Sequence, residues 1–157
     1  AGEPDLLIAD EPTTALDARL RVQVLDLLGE LVAERRMGLL LISHDLALTA
    51  RRVDRLQILY GGRVMEQGDA PAMLAQPRHP YTQALLSAVP IPDPRRERQR
   101  TRRILEGDVP SPADPPSGCR FRTRCPFAQD RCANEEPQLQ DLGNEHYVAC
   151  HFPLQTA

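Results

Sequence analysis

The sequence lacks several features that would assign it to common classes of protein. No apolar run among its 157 residues approaches the length of a membrane span, and no signal peptide opens the chain, so a cytosolic protein is predicted. Aromatic residues make up only 4%, whereas there are 15 prolines, which indicates much irregular chain beside a modest core. Lys and Arg number 19 against 22 Asp and Glu, and this near balance predicts no nucleic-acid partner.

Cysteine is also scarce, and its placement is uneven. Three of the 4 cysteines lie in GCRFRTRCPFAQDRC and the fourth in VACHF. Cytosolic thiols are kept reduced, so a disulfide is the weakest explanation for them. The spacing C-x5-C-x6-C-x17-C lacks the tight knuckle that structural zinc sites usually contain. Such wide loops permit four thiolates to converge on an iron–sulfur cluster, and zinc or unliganded thiols stay open as alternatives.

The hydrophobic pattern of the first half predicts strands that alternate with helices, which indicates an α/β fold. Continuous apolar runs at 6–9 and 39–42 are typical of strands buried on both faces in a parallel sheet. Between them, Leu and Val recur at helical spacing after Asp17, a predicted N-cap, and the helix is predicted to end near Gly38.

The following residues continue the alternation. The pattern predicts a short helix to about Val53 and then a hairpin that turns at Gly61 and Gly62. Two further helices are predicted, one capped by Asp69 and the other beginning at Pro80.

The composition changes after Val89, which divides the chain into three predicted parts. An α/β part covers 1–89, a linker rich in Pro and Arg covers 90–117, and a small cysteine-rich tail covers 118–157. The linker run RRERQRTRR is interpreted as solvated chain rather than a membrane or partner contact. An interior strand at residue 6 requires flanking strands, so the chain is expected to be the C-terminal portion of a longer domain.

Two adjacent carboxylates follow the first predicted strand, in LLIADEP. Asp10 and Glu11 stand at the carboxyl end of that strand, where open α/β sheets bind ligands. Two acids suit a Mg²⁺–phosphate site, in which one holds the water shell of the metal and the other orients the attacking water. Taken alone, the dipeptide is better explained as a polar strand end with a turn-forming aspartate.

The surrounding motifs change that interpretation. LLIADEPTTALD followed by LLLISHD resembles the Walker B strand, D-loop and switch histidine of the ATP-binding cassette ATPases. The resemblance implies the C-terminal part of a P-loop nucleotide-binding domain that uses ATP and Mg²⁺. It implies that Asp10 supports Mg²⁺, Glu11 is the general base for ATP hydrolysis, His44 contacts the γ-phosphate and Asp17 lies at a dimer interface. Asp17 is also fully explained as a helix cap, and Asp45 is predicted to be a cap rather than a ligand.

Two motifs of that family do not occur in the sequence. There is no phosphate loop of the form G-x-x-x-x-G-K-S/T and no LSGGQ-like signature. Backbone N–H groups and a lysine must cradle a triphosphate before the carboxylates can act on it. The polypeptide as given is therefore not expected to bind or hydrolyse ATP by itself.

The second half of the chain narrows the resemblance. RHPYTQALLSAVP and the cysteine block resemble the C-terminal extension of ATP-binding subunits of bacterial dipeptide, oligopeptide and nickel importers. This implies an ATPase that powers peptide import at the cytoplasmic face of the inner membrane. The implied partners are a second ATPase subunit, two transmembrane permease subunits and, indirectly, a substrate-binding protein. Some members of the branch carry a 4Fe–4S cluster, which here implies the ligands Cys119, Cys125, Cys132 and Cys150.

Alternatives to this interpretation stay open at the level of sequence. One is a non-catalytic metal or iron–sulfur module whose ATPase half is vestigial, and another is a nickel rather than a peptide importer. His151 could replace a cysteine in a zinc site, although it is more simply a neighbour of Cys150 in the chain. ATP-binding cassette proteins that act without a membrane partner are disfavoured, because they lack the cysteine-bearing tail.

Overall fold

The computed structural model describes residues 4–90, 93–99, 105–111 and 113–155. The chain divides into two compact units, Ala1–Arg52 and Val53–Ala157, which we call the N-terminal and the C-terminal unit. Within the described ranges, no helix is long and apolar enough to cross a membrane. The division into 1–89, 90–117 and 118–157 stays a prediction.

The N-terminal unit pairs two parallel strands. Its elements are β1 (Leu6–Asp10), α1 (Ala18–Arg35), β2 (Gly38–Ile42) and α2 (Leu46–Thr49). Leu6 lies opposite Gly38 and Asp10 lies opposite Ile42, so the carboxyl ends of the two strands meet at one edge. Parallel strands need a crossover connection, which α1 supplies. The predicted order of strand, helix and strand is confirmed.

Burial in this unit differs from the prediction. Leu6, Ile8, Leu40 and Ile42 share one face of the strand pair, and between 46% and 60% of each residue is exposed. The prediction that both strands are buried on both faces is therefore wrong for this unit. The reason is that no element in the described part of the unit covers that face.

Polar side chains set the helix boundaries of the N-terminal unit. Asp17 Oδ1 accepts two N–H groups from the first turn of α1, each at 2.9 Å, which confirms the predicted cap. Asp45 caps α2 in the same way, as predicted. The left-handed residue that ends α1 is Arg36, with φ 54°, and not the predicted Gly38, which already begins β2.

An antiparallel sheet forms the framework of the C-terminal unit. The elements in chain order are β3 (Arg55–Tyr60), β4 (Arg63–Asp69), α3 (Ala70–Ala75), α4 (Pro80–Ala88), α5 (Pro94–Gln99), α6 (Asp130–Asn134), β5 (Gln140–Asp141) and β6 (Tyr147–Val148). The strands pair in the order β3-β4-β6-β5. β3 and β4 form the predicted hairpin, and both Gly61 and Gly62 have the positive φ that its tight turn requires.

Four of these elements have weak signals in the sequence and were not predicted. β5 and β6 have two residues each, which is too short for an alternating pattern, and α6 has only five. α5 lies within the run predicted to be a linker, and residues 100–103 of that run lie outside the described residues. Because β6 pairs with β4, the cysteine-bearing segment and the hairpin share one sheet.

Aromatic rings are central to the core of the C-terminal unit. Phe121 is fully buried, and its ring centroid lies 5.3 Å from that of Tyr60 and 5.2 Å from that of Tyr81. Such tilted and edge-on pairs stabilise a core beyond the area that they bury. The other buried members of this cluster are Met65, Cys119 and Cys132.

A buried carboxylate in β4 joins three segments of the same unit. Glu66 is 0% exposed and accepts the backbone N–H groups of Arg78 at 2.7 Å and His79 at 3.0 Å. Its Oε1 also lies 2.7 Å from Nε2 of His146. Arg78 and His79 directly precede α4, and His146 directly precedes β6. Glu66 therefore fixes the starts of both elements against β4, because a buried carboxylate is stable only when it is fully hydrogen-bonded.

The variant Glu66→Gln tests this role. In the variant, the side-chain NH₂ group replaces one carboxylate oxygen and therefore faces a hydrogen-bond donor. At least one buried N–H group then loses its acceptor, so the free energy of unfolding should fall by about 1–3 kcal/mol. Urea denaturation measures the loss. The exposed Glu106→Gln is the matched control and should change stability by less than about 0.5 kcal/mol. Equal effects of the two substitutions would contradict the role of Glu66.

Candidate functional site

The carboxyl ends of β1 and β2 bring together a carboxylate and a histidine. Glu11 directly follows β1, and its N–H donates to the carbonyl of Ile42 at 2.9 Å, which extends the parallel ladder by one bond. His44 lies two residues after β2, and its Nδ1 lies 2.9 and 3.0 Å from the two carboxylate oxygens of Glu11. Two residues that are 33 positions apart in the sequence are thus in direct contact.

A tight turn orients the Glu11 side chain. Glu11 has φ 46°, a left-handed conformation that is uncommon for residues other than glycine and is often found at functional sites. Its carbonyl accepts the N–H of Thr14 at 3.1 Å, and the Thr14 hydroxyl donates to Glu11 Oε2 at 2.6 Å. Thr14 was not among the residues predicted from the sequence. The only sequence signal for it is a hydroxyl three positions after the carboxylate, in a predicted turn.

Hydrogen bonds set the charge state of this pair. The bond from His44, followed by the bond from Thr14, lowers the pKa of the Glu11 carboxyl below its ordinary value. Glu11 is therefore ionised at neutral pH, and since a carboxylate only accepts, Nδ1 of His44 carries the donated proton. The side chains of His44 and Glu11 are 70% and 42% exposed, so the pair is open to a ligand from solution.

The other two residues implied by the ATPase resemblance also belong to the N-terminal unit. Asp10 is the last residue of β1 and its side chain is exposed at the same strand edge. The carboxylate of Asp17 is engaged as the cap of α1. The magnesium role of Asp10 and the interface role of Asp17 stay predictions.

A second candidate site is a pocket of the C-terminal unit. All four cysteines line it as free thiols, and their neighbours in the wall include His79, whose ring nitrogen Nε2 is buried without a hydrogen-bond partner of normal geometry. Burial lowers the pKa of His79 to about 4, so its ring is neutral. The four cysteines that share this pocket are Cys119, Cys125, Cys132 and Cys150.

The backbone approaches itself closely at the rim of this pocket. The N–H of Cys119 donates to the carbonyl of Cys132 at 2.8 Å. Gly118 has φ 62°, and a Cβ atom there would lie 2.4 Å from that carbonyl oxygen, so only glycine fits. The turn at Gly118 brings the backbones of two of the cysteines together.

Three thiols of the pocket, those of Cys119, Cys125 and Cys150, are held in their protonated form. Burial raises the pKa of Cys119 and Cys125 and raises that of Cys150 to about 11, and neighbouring thiols raise these values further. Backbone N–H groups act in the opposite direction, because a hydrogen bond to sulfur favours the thiolate. A bound metal would have to displace the thiol protons.

The fit of a metal to these residues depends on the kind of metal site. Within the described residues, no group of three or more His, Cys, Asp or Glu side chains is placed to hold a metal ion. A zinc site that includes His151 is therefore not supported, and Nε2 of His151 lies 2.9 Å from the carbonyl of Glu135. The four cysteines, which are of the residue type that binds 4Fe–4S clusters, do line one pocket.

Comparisons with known proteins agree with the motifs. Residues 65–132, from β4 into α6, match the family described as "Oligopeptide/dipeptide transporter, C-terminal region". A putative peptide import ATP-binding protein of Brucella ovis is 51% identical over 148 residues, which are 94% of this chain and 46% of that protein.

Two further relatives have names of the same kind. The oligopeptide transport ATP-binding protein of Haemophilus influenzae is 47% identical over 94% of this chain and 45% of its own length. The dipeptide transport ATP-binding protein of Escherichia coli is 48% identical over 100% of this chain and 47% of its own length. The chain thus spans about half the length of the curated relatives that it matches. On these matches, and as its motifs predicted, the chain is similar to the ATP-binding proteins of peptide transport.

Proposed function

We propose that this chain is part of an ATP-hydrolysing subunit that powers the import of dipeptides or oligopeptides across the bacterial inner membrane. The observation that carries the proposal is the Glu11 carboxylate, held between Thr14 and His44 at the carboxyl end of a parallel strand pair. The names of the relatives support peptides as the cargo. Neither the nickel importer nor the vestigial ATPase has comparable support.

The proposed mechanism assigns one task to each residue at the strand edge. Glu11 is ionised at neutral pH, so it accepts a proton from the attacking water as general base. His44 donates through Nδ1 to Glu11, and it would donate to the γ-phosphate through Nε2 when the ring carries both of its protons. Asp10 supports Mg²⁺, which when bound would neutralise charge on the phosphates.

The proposed partners follow from the role of an ATPase that powers transport across a membrane. A second ATP-binding subunit would face the D-loop, where Asp17 lies, and would complete the nucleotide site. Two transmembrane permease subunits would convert closure of the ATPase pair into transport, with a substrate-binding protein that delivers the peptide. The proposed location is the cytoplasmic face of the inner membrane, where the ATPase binds its permeases peripherally.

The variant Glu11→Gln, in the full-length subunit assembled with its partners, tests the assignment of the base. Gln keeps the size of the side chain but cannot accept a proton, so ATP turnover should fall by about 10²–10⁴-fold. ATP binding should persist, since Glu11 does not hold the phosphates. Phosphate release and nucleotide binding are measured on the same preparation.

The exposed Glu34→Gln on α1 is the control for that experiment and should hydrolyse ATP at the wild-type rate. Normal turnover of Glu11→Gln would overturn the assignment of Glu11. If Glu11→Gln lost ATP binding as well as ATP turnover, Glu11 would have a structural role instead.

The substitution His44→Ala tests the electrostatics of the pair. It removes the hydrogen bond that lowers the pKa of Glu11 most, so this pKa should rise towards its ordinary value of 4.5. The sign follows from linkage: the bond stabilises ionised Glu11, and its contribution is lost as the pH falls through the depressed pKa. A carbon-13 NMR titration of labelled glutamate carboxyls measures the change. His151→Ala, in the other unit, should leave the Glu11 titration unmoved, and an unmoved titration in His44→Ala would contradict the contact.

We also propose that Cys119, Cys125, Cys132 and Cys150 hold a 4Fe–4S cluster with a structural role. The supporting observation is that all four free thiols of the chain line one pocket, although Cys150 belongs to a separate segment after β6. When bound, the cluster would supply metal–thiolate cross-links between a set of turns, α6 and the segment after β6. Such cross-links suit a segment whose described strands have two residues each.

Anaerobic purification with metal analysis tests the cluster. The protein should show a broad absorption band near 400 nm and contain about four irons per chain. Cys150→Ser should lose iron, whereas His151→Ala, one residue further on, should retain it because His151 contacts a backbone carbonyl. Stoichiometric zinc, or no metal in freshly prepared protein, would overturn the proposal without affecting the ATPase assignment.

A further inference from the structure

The sheet of the C-terminal unit has a gap where β6 ends. β6 lies between β4 and β5 and is antiparallel to both, so β4 and β5 run in the same direction. Beyond the two residues of β6 that pair with β4, one further bond joins the N–H of Ala149 to the carbonyl of Met65 at 2.9 Å. The chain then reaches Cys150 in the wall of the cysteine pocket. The start of β4 and residues 136–139, before β5, therefore extend past β6 with no strand of the described chain between them.

A pocket that shares no lining residue with the cysteine pocket occupies this gap, and we call it the gap pocket. Its volume is about 190 Å³. Pockets for drug-sized ligands usually measure about 300–1,000 Å³, so a ligand of the gap pocket would be small. The lining comes from the start of β4, from one turn residue, from the segment before β5 and from the end of β6: Arg63, Val64, Met65, Arg120, residues 136–139 and Ala149.

Arg120 brings an unpaired cation to the wall of the gap pocket. Its Nε is buried and has no hydrogen-bond partner. Within the described part of the chain, its guanidinium forms no ion pair with a carboxylate. A buried charged donor without an acceptor is costly, and such a group in a folded protein calls for an explanation. An acceptor that enters from solution supplies one.

Packing holds Arg120 in place before any ligand enters. Its chain neighbours Cys119 and Phe121 are both buried in the core. The stem of its side chain lies against the hairpin turn, where a Cβ atom at Gly61 would be 3.5 Å from the Cβ of Arg120. A donor that is already ordered loses little conformational freedom on binding, which favours affinity.

The charged residues of the gap pocket limit the charge of its ligand. Nε of Arg63 lies 2.8 Å from Oε1 of Glu136, so these two side chains neutralise each other. Arg120 is the remaining charge in the lining, which leaves one net positive charge. A ligand with one negative charge balances it, whereas a dianion such as phosphate would also face the carboxylate of Glu136. The planar fork of a guanidinium matches a carboxylate.

The rest of the lining is mostly apolar. Val64, Met65 and Leu139 contribute large apolar side chains, and Pro137 and Ala149 add smaller ones. Leu139 is 40% exposed and lies at the rim. A small pocket with one cationic anchor and apolar walls suits an anion that also carries an apolar group.

We propose that the gap pocket binds a small organic monocarboxylate with an apolar substituent. The carboxylate accepts hydrogen bonds from Arg120, and the substituent packs against Leu139 and its apolar neighbours. A free amino acid and the C-terminal residue of a short peptide both offer this chemistry. The proposed site is independent of the ATPase assignment and of the cluster.

Titration calorimetry on the full-length subunit tests the ligand class with a matched pair of probes. N-acetyl-leucine has the carboxylate and the apolar group, whereas N-acetyl-leucinamide replaces the carboxylate by a neutral amide. The first should bind about 10- to 100-fold more tightly than the second, because the charge-assisted bonds to Arg120 are lost. Equal affinities, or no binding of N-acetyl-leucine, would overturn the proposal. Inorganic phosphate that binds as tightly as N-acetyl-leucine would overturn the carboxylate class.

Arg120→Met tests the cationic anchor. Affinity for N-acetyl-leucine should fall by about 10- to 100-fold. The melting temperature without ligand should not fall, because the substitution removes a buried donor that lacks an acceptor. Arg131→Met makes the same change of charge outside the pocket, where Arg131 pairs with Glu135, and should bind as the wild type does. Unchanged binding in Arg120→Met, or a large loss of stability, would contradict the role of Arg120.

Leu139→Glu tests the pocket without changing Arg120. The new carboxylate at the exposed rim competes for Arg120, so binding of N-acetyl-leucine should be lost while the fold persists. Leu142→Glu is the matched control, since Leu142 is 36% exposed and does not line the pocket. Equal binding by the two variants would place the ligand elsewhere and overturn the site.

Leucine and the dipeptide Gly-Leu distinguish the two sources of the carboxylate. Both carry the same terminal residue, but only free leucine places an ammonium group next to the carboxylate. Tighter binding of Gly-Leu would assign the pocket to peptide C-termini, and tighter binding of leucine would assign it to free amino acids. Either result supports the carboxylate site if Arg120→Met abolishes it, and binding of both that survives Arg120→Met would overturn the site.

Discussion

The C-terminal unit depends on one buried carboxylate. Glu66 lies in β4 with no exposed surface and accepts the two N–H groups that precede α4, while its Oε1 contacts the histidine that precedes β6. Charge that is removed from water needs all of these partners, so the three segments can pack only in the arrangement that supplies them. The same arrangement puts His79 and Cys150 in the wall of one pocket.

The two candidate sites are built on different physical principles. At the strand edge of the N-terminal unit, exposed polar groups converge because parallel strands end together, and a strained turn at Glu11 aims the carboxylate. In the C-terminal unit, a buried pocket is formed by turns whose thiols are kept protonated by burial. The first arrangement suits proton transfer in a ligand-accessible place, and the second suits a cofactor that holds a small irregular segment together.

Local features of the fold were predictable because their causes lie within a few residues. Asp17 and Asp45 cap the helices that they precede, and Gly61–Gly62 forms the hairpin turn, each through bonds or torsions that short-range sequence specifies. The contact of Glu66 with His146 was not predictable, because the residues are 80 positions apart and meet through a strand of two residues.

By itself the sequence determined the order of the main elements, the similarity to ATP-binding proteins of peptide transport and the residue types available for chemistry. Motif spacing and capping residues carry that information locally. Tertiary structure decided that Glu11 contacts His44 and Thr14, that one face of the strand pair is exposed within its unit, and that Cys150 shares a pocket with the other three thiols. These outcomes depend on strand register and on the pairing of segments far apart in the chain, and no local pattern specifies either.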